Sequence, residues 1–168
     1  MTRPHQISPS LLAADFGNLQ RECEMINRSH AEYLHVDVMD GVFVPNISFG
    51  FPVMKTLKQH CTKPLDVHLM ITHPEKYVER FCDAGAWSVG FHLEATDQAD
   101  AILDLIRAKG VRTCLTINPD IDVHRLDPYL DKVDMLLIMS VYAGFGGQSF
   151  IPEALDKVRY LRQAIDAH

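Results

Sequence analysis

The feature that most restricts this chain is a sixfold alternation. Short apolar runs rich in β-forming residues recur along it, each followed by a longer amphipathic stretch. The runs are Gln6 to Leu11, Tyr33 to Met39, Leu65 to Ile71, Trp87 to Leu93, Val111 to Ile117 and Val133 to Val141. Between them the spacing predicts helices with recognisable ends. One begins at Pro74 and closes at Gly85, one opens at Thr96 and Asp97 and closes at Gly110, and the last opens at Pro152. Proline fits a first helical turn because its missing N–H would be unpaired there anyway, and glycine fits the left-handed residue that ends a helix. In the last segment Leu155, Val158, Leu161 and Ile165 form an apolar stripe at helical spacing. Repeats of strand then helix, roughly 20 to 30 residues each, are the pattern of parallel βαβ units with right-handed crossovers. The fold class is therefore α/β, in one domain spanning residues 1–168. Periodicity does not separate an open doubly wound sheet from a closed barrel, since both bury near-continuous apolar strands under helices.

Composition removes several function classes. With 47% hydrophobic and 23% charged residues, the chain has material for a real core and is neither disordered nor fibrous. Its net charge of -6, with scattered Lys and Arg, provides no field for nucleic acid or an anionic membrane. Cys23, Cys61, Cys82 and Cys114 stand far apart without a CxxC pair, which reads as four reduced packing thiols. Met1 to Gln6 lead straight into a strand pattern without a signal peptide or membrane span, so a soluble cytoplasmic protein is expected.

Polar residues inside the apolar runs mark the chemistry. In His35-Val36-Asp37-Val38-Met39 the side chains alternate, so His35, Asp37 and Met39 share one strand face. Asp66, His68 and Met70 do the same in the next run. A buried imidazole and carboxylate are costly unless paired, and a divalent cation would offset that cost. A lone strand histidine is usually a hydrogen-bonded structural residue; His35, Asp37 and His68 together point to metal. Asp40, beside Gly41, and Asp66, deeper in its strand, read as turn or supporting residues. The loop Gly144-Phe145-Gly146-Gly147-Gln148 lies between a strand and a helix, where glycine lets backbone N–H groups surround a phosphate. It fits neither the dinucleotide GxGxxG spacing nor GxxxxGK[ST], so a phosphate on a small sugar suits it better. Ser10 either hydrogen-bonds a substrate hydroxyl or is a turn serine ahead of a helix capped at Asp15. Met39, Met70 and Met139 stand at strand ends as core filler or as a wall around the reacting carbon.

Taken together, Ser8-Pro9-Ser10, His35 to Gly41, Phe43-Val44-Pro45-Asn46, Asp66 to Met70 and Gly144 to Phe150 resemble the ribulose-phosphate 3-epimerase family along the whole chain. The resemblance implies a (β/α)8 barrel, of which this chain would carry six of the eight units. It implies interconversion of D-ribulose 5-phosphate and D-xylulose 5-phosphate through an enediolate. A divalent Zn, Fe, Mn or Co would sit on His35, Asp37 and His68, with Asp37 as one acid/base. Ser10 and His68 would touch substrate, and Gly144, Phe145, Gly146 and Gly147 would help grip the phosphate.

The family's second acid/base is an Asp in an Asp-Gly-Gly motif after the seventh strand, and no such motif occurs here. Tyr142-Ala143 also departs from the family's usual acidic residue or Asn followed by Pro. The expectation is a truncated chain of reduced activity that self-associates through its open strand edges. Alternatives are an epimerase for a six-carbon ketose phosphate and a non-catalytic fragment that completes a barrel with another chain.

Overall fold

A computed structural model describes residues 5–167; the expectations drawn from residues 1–4 and 168 lie outside it. Five parallel strands form one sheet in the order of the sequence: β1 (Leu34–Met39), β2 (Leu65–Met70), β3 (Ser88–His92), β4 (Arg112–Ile117) and β5 (Met135–Ile138). Helices α1 (Leu19–Arg28), α2 (Phe51–His60), α3 (Val78–Asp83), α4 (Ala99–Ala108) and α5 (Ala154–Ala167) alternate with them.

The first apolar run does not form a strand. It joins the sheet by one parallel bridge, Ser10 to His35, supported by the His35 N–H on the Pro9 carbonyl. Pro9 has no N–H to continue a ladder, which is why a β-rich run stops at a bridge here. The run Val133 to Val141 contributes only Met135–Ile138 as strand. α3 and α4 end where the glycines predicted. Gly85 and Gly110 adopt positive φ (99° and 70°), and the Gly110 N–H bonds the Arg107 carbonyl at 2.9 Å.

Alternation divides the sheet into two chemical faces. Val36, Val67, Leu69, Val89, Phe91 and Leu115 are fully buried in one core with Met54, Leu57, Phe81 and Ile102 from the helices. The opposite face carries His35, Asp37, Asp66, His68, Ser88 and His92. Methionines 39 and 70, with Val44, form a separate small cluster at the strand ends.

α5 is packed less completely. Leu161 is buried, whereas Leu155, Val158 and Ile165 are exposed. Val158, Leu161 and Ile165 line a groove against Val133, Leu136 and Ile138 beside β5, which pairs on one side only among the described residues. No helix among the described residues is long and apolar enough to cross a membrane.

Candidate active site

Sheet register assembles the site. Pairing of β1 with β2 sets His35 opposite Asp66 and Asp37 opposite His68. Two strands that each place a polar residue at every second position therefore bring all four into one patch. Ligand atoms of His35, Asp37 and His68 lie within 4.8 Å of one another.

Within the patch both histidines turn one nitrogen towards the same oxygen. His35 Nε2 is 3.3 Å from Asp37 Oδ1 and His68 Nδ1 is 3.1 Å from it. Their other nitrogens are engaged outward, His35 Nδ1 with Asp66 Oδ2 at 2.7 Å and His68 Nε2 with His92 Nε2 at 2.9 Å. Asp66 is steadied by the Ser88 hydroxyl, which donates to Oδ1 at 2.5 Å. The second oxygen of Asp37 accepts from the Ser10 hydroxyl at 2.5 Å, and Ser10 Oγ in turn accepts the Leu12 N–H. Ser10 is thus at once the cap of a short 3-10 helix and a neighbour of Asp37.

The three groups set one another's charge. Burial works to raise the Asp37 carboxyl, but the bonds and charges of His35 and His68 overcome it and hold the group well below the ordinary carboxylate range. Burial alone would lower His35; its bonds to Asp37 and Asp66 and their charges raise it above the ordinary imidazole value. His68, deeply buried, is pulled below that value despite its bond to Asp37. Two imidazole nitrogens and a carboxylate oxygen converge, with the outer nitrogens already committed. Such a donor set fits a divalent first-row ion with open coordination positions.

A cavity of about 460 Å³ opens on this patch. Its walls include Ser10, His35, Asp37 and His68, the methionines 39, 70 and 139, and Gly144 through Gly147. Every site residue expected from the sequence is therefore on one cavity. The glycine loop is shaped by Gly144 and Gly147, at φ 125° and 72°, and a Cβ on Gly144 would stand 3.3 Å from that of Val44. Carbonyls in the loop are tied to side-chain amides: Gly144 accepts from Asn46 at 2.8 Å, while Gln148 donates to Tyr142 and Phe145 at 2.7 and 2.8 Å. Among the described residues neither Lys nor Arg lines the cavity, so an anion there would depend on backbone N–H groups.

Sequence reading left His92 and Glu94 without a role in the site. His92 is fully buried, and its Nδ1 lies 2.9 Å from Glu94 Oε1. Glu94 also receives the Asn118 N–H and side-chain amide, and Asn118 accepts from the Ala143 N–H, just ahead of the glycine loop. The available signal was the alternation Ser88, Gly90, His92, which continues the polar face of β1 and β2. Asp40 serves its turn: it accepts the Val42 and Phe43 N–H groups and binds Thr72.

Fold and site together define an α/β protein of the TIM-barrel type with a cluster of two histidines and a carboxylate on the polar face of its first two strands. The solved structure of a mutant tryptophan synthase α-subunit from Pyrococcus furiosus shares this fold. It has a TM-score of 0.67 at 13% identity, covering 93% of this chain and 72% of that one. The chain belongs to the ribulose-phosphate 3 epimerase family, whose model matches residues 6–168. The ribulose-phosphate 3-epimerase of Mycobacterium tuberculosis (strain H37Rv) is 47% identical over 164 residues, 96% of this chain and 69% of that protein. A cytoplasmic isoform from Oryza sativa subsp. japonica is 42% identical over 162 residues, 94% of this chain and 71% of that protein.

Proposed function

We propose that this chain carries out the chemistry of a ribulose-phosphate 3-epimerase in the cytoplasm, acting on a ketopentose phosphate, with His35, Asp37 and His68 holding a divalent ion. Residues 1–168 are read as a single domain contributing six units of the barrel. The observation that carries the proposal is that the His35, Asp37 and His68 cluster and the Gly144 to Gly147 loop share one cavity. The relatives' names favour the pentose over the hexose substrate.

In this reading the loop seats the phosphate through backbone N–H groups, and its carbonyls, tied to Asn46 and Gln148, are kept from opposing the anion. Ser10 and His68 lie against the sugar. Asp37, ionised by its two histidines, takes the proton from the carbon beside the carbonyl and returns it on one face of the substrate. When bound, a divalent ion supplies Lewis-acid stabilisation of the charge that develops on the substrate oxygens. Met39, Met70 and Met139 limit water around the reacting carbon. Asp37 is the only carboxylate lining the cavity among the described residues. Inversion calls for a second acid on the opposite face.

Incubation of ribulose 5-phosphate in D2O with metal-loaded chain tests this, followed by NMR for exchange at C3 and by a coupled assay for xylulose 5-phosphate. Exchange at C3 that Asp37→Asn abolishes is expected, with or without inversion. No exchange by stoichiometrically loaded protein would sink the proposal.

A further inference from the structure

His35 reaches a carboxylate directly through its outer nitrogen, but His68 does not. Its Nε2 lies 2.9 Å from His92 Nε2, so two imidazole nitrogens share one proton. Which ring keeps it is decided on the far side of His92. There Nδ1 faces Glu94 Oε1 at 2.9 Å, and an ionised carboxylate can only accept. The same oxygen takes two further donors, the Asn118 N–H at 3.1 Å and the Asn118 side-chain amide at 2.9 Å, which fixes it as an acceptor. With a proton on Nδ1 facing Glu94, His92 turns Nε2 to the His68 ring as an acceptor, and the proton between the rings belongs to His68. His68 Nδ1 is then the nitrogen turned to Asp37 Oδ1, 3.1 Å away, and the one that a cation held there would take.

Geometry keeps the relay from turning. His92 is fully buried and His68 nearly so. The two rings meet edge to edge and nearly coplanar, with centroids 5.0 Å apart at 21°, and Phe43 packs on His92 with a centroid separation of 4.8 Å. We infer that His92 and Glu94 are positioning residues that set the tautomer and ring orientation of His68 for a divalent cation. This rests on the metal reading of His35, Asp37 and His68.

Its test uses the full chain and two readouts. Nitrogen-15 NMR of the metal-free protein gives the tautomers of His68 and His92. Titration with Co²⁺, followed by visible absorption, gives affinity and ligand field. Wild type should show His68 protonated on Nε2. Glu94→Gln keeps an acceptor oxygen and should retain both tautomer and affinity, whereas Glu94→Leu and His92→Phe should lose the tautomer and bind Co²⁺ roughly 10- to 100-fold more weakly. Circular dichroism shows which variants fold, and the Gln and Leu pair decides the matter if the Phe variant does not. His68 without a proton on Nε2 in wild type, or wild-type Co²⁺ affinity in folded Glu94→Leu, would overturn the inference. Tautomers as stated in a wild type that takes up no Co²⁺ would instead defeat the metal reading and leave the relay standing.

Discussion

The side-chain amide of Asn46 spans 98 positions of sequence to donate to the Gly144 carbonyl at 2.8 Å. The segment after β1, the strand that carries two of the three cluster residues, thereby holds the loop assigned to the phosphate. Removing one such bond costs about 1 kcal/mol, or roughly fivefold in an equilibrium. Asn46→Ala should therefore raise KM for the sugar phosphate several-fold with little change in kcat, and speed amide exchange at Gly144 to Gly147. An unchanged KM would show that the loop stands without this tie.

Binding of a cation to His35, Asp37 and His68 should be visible as stability. A ligand held by the folded state alone adds about 2.7 kcal/mol at a hundred times its Kd. Thermal unfolding of the wild-type chain should rise with added Co²⁺ or Zn²⁺ and return to its starting point with a chelator. Asp37→Asn removes the negative charge that both histidines face, and its midpoint should not respond.

Burial, before any other cause, raises the thiols of Cys23 and Cys82 to about 11 and that of Cys114 to about 12, against a usual value near 9. Each raised value favours the neutral thiol in the folded state. The stability it contributes is complete below the unfolded value and is lost as pH climbs through the folded one. Urea midpoints should accordingly fall from about pH 9 towards pH 11, and these three thiols should resist Ellman's reagent at pH 8 until the chain unfolds.

Gly41 opens the turn beyond β1 at φ 75°, where a Cβ would come within 2.7 Å of Ile47 Cγ1. Gly41→Ala meets both backbone strain and a collision, and should destabilise the chain by about 1 to 3 kcal/mol in urea denaturation. The same substitution at Gly146, which has open space and no positive φ, should be nearly neutral for stability and serves as the control.

Legibility in the sequence followed the range of the interactions involved. Strand alternation is a local property, so His35, Asp37 and Met39 could be placed on one face before any fold was known. The glycine ends of α3 and α4 are local too. Register is not local. Nothing in the segment around His92 states that it will meet His68, because that contact depends on β2 and β3 aligning His68 with Gly90 and leaving His92 a step further along. Pro9 shows the opposite case, a β-rich run whose one missing N–H outweighed its propensity. The apolar stripe of α5 was real as a pattern, yet pattern does not dictate what covers it: Val158 and Ile165 face a groove while Leu161 alone is buried.

Strand order in the sheet is also order of synthesis. Each new strand leaving a ribosome finds its hydrogen-bonding neighbour already made, so the sheet can be laid down by accretion rather than by search. One of the two edges that could recruit a stray chain is at every moment the youngest strand, which the next unit covers; the other, at β1, meets only the Ser10 bridge. A nascent chain of this design has one border that stays at β1 and one that travels with the ribosome.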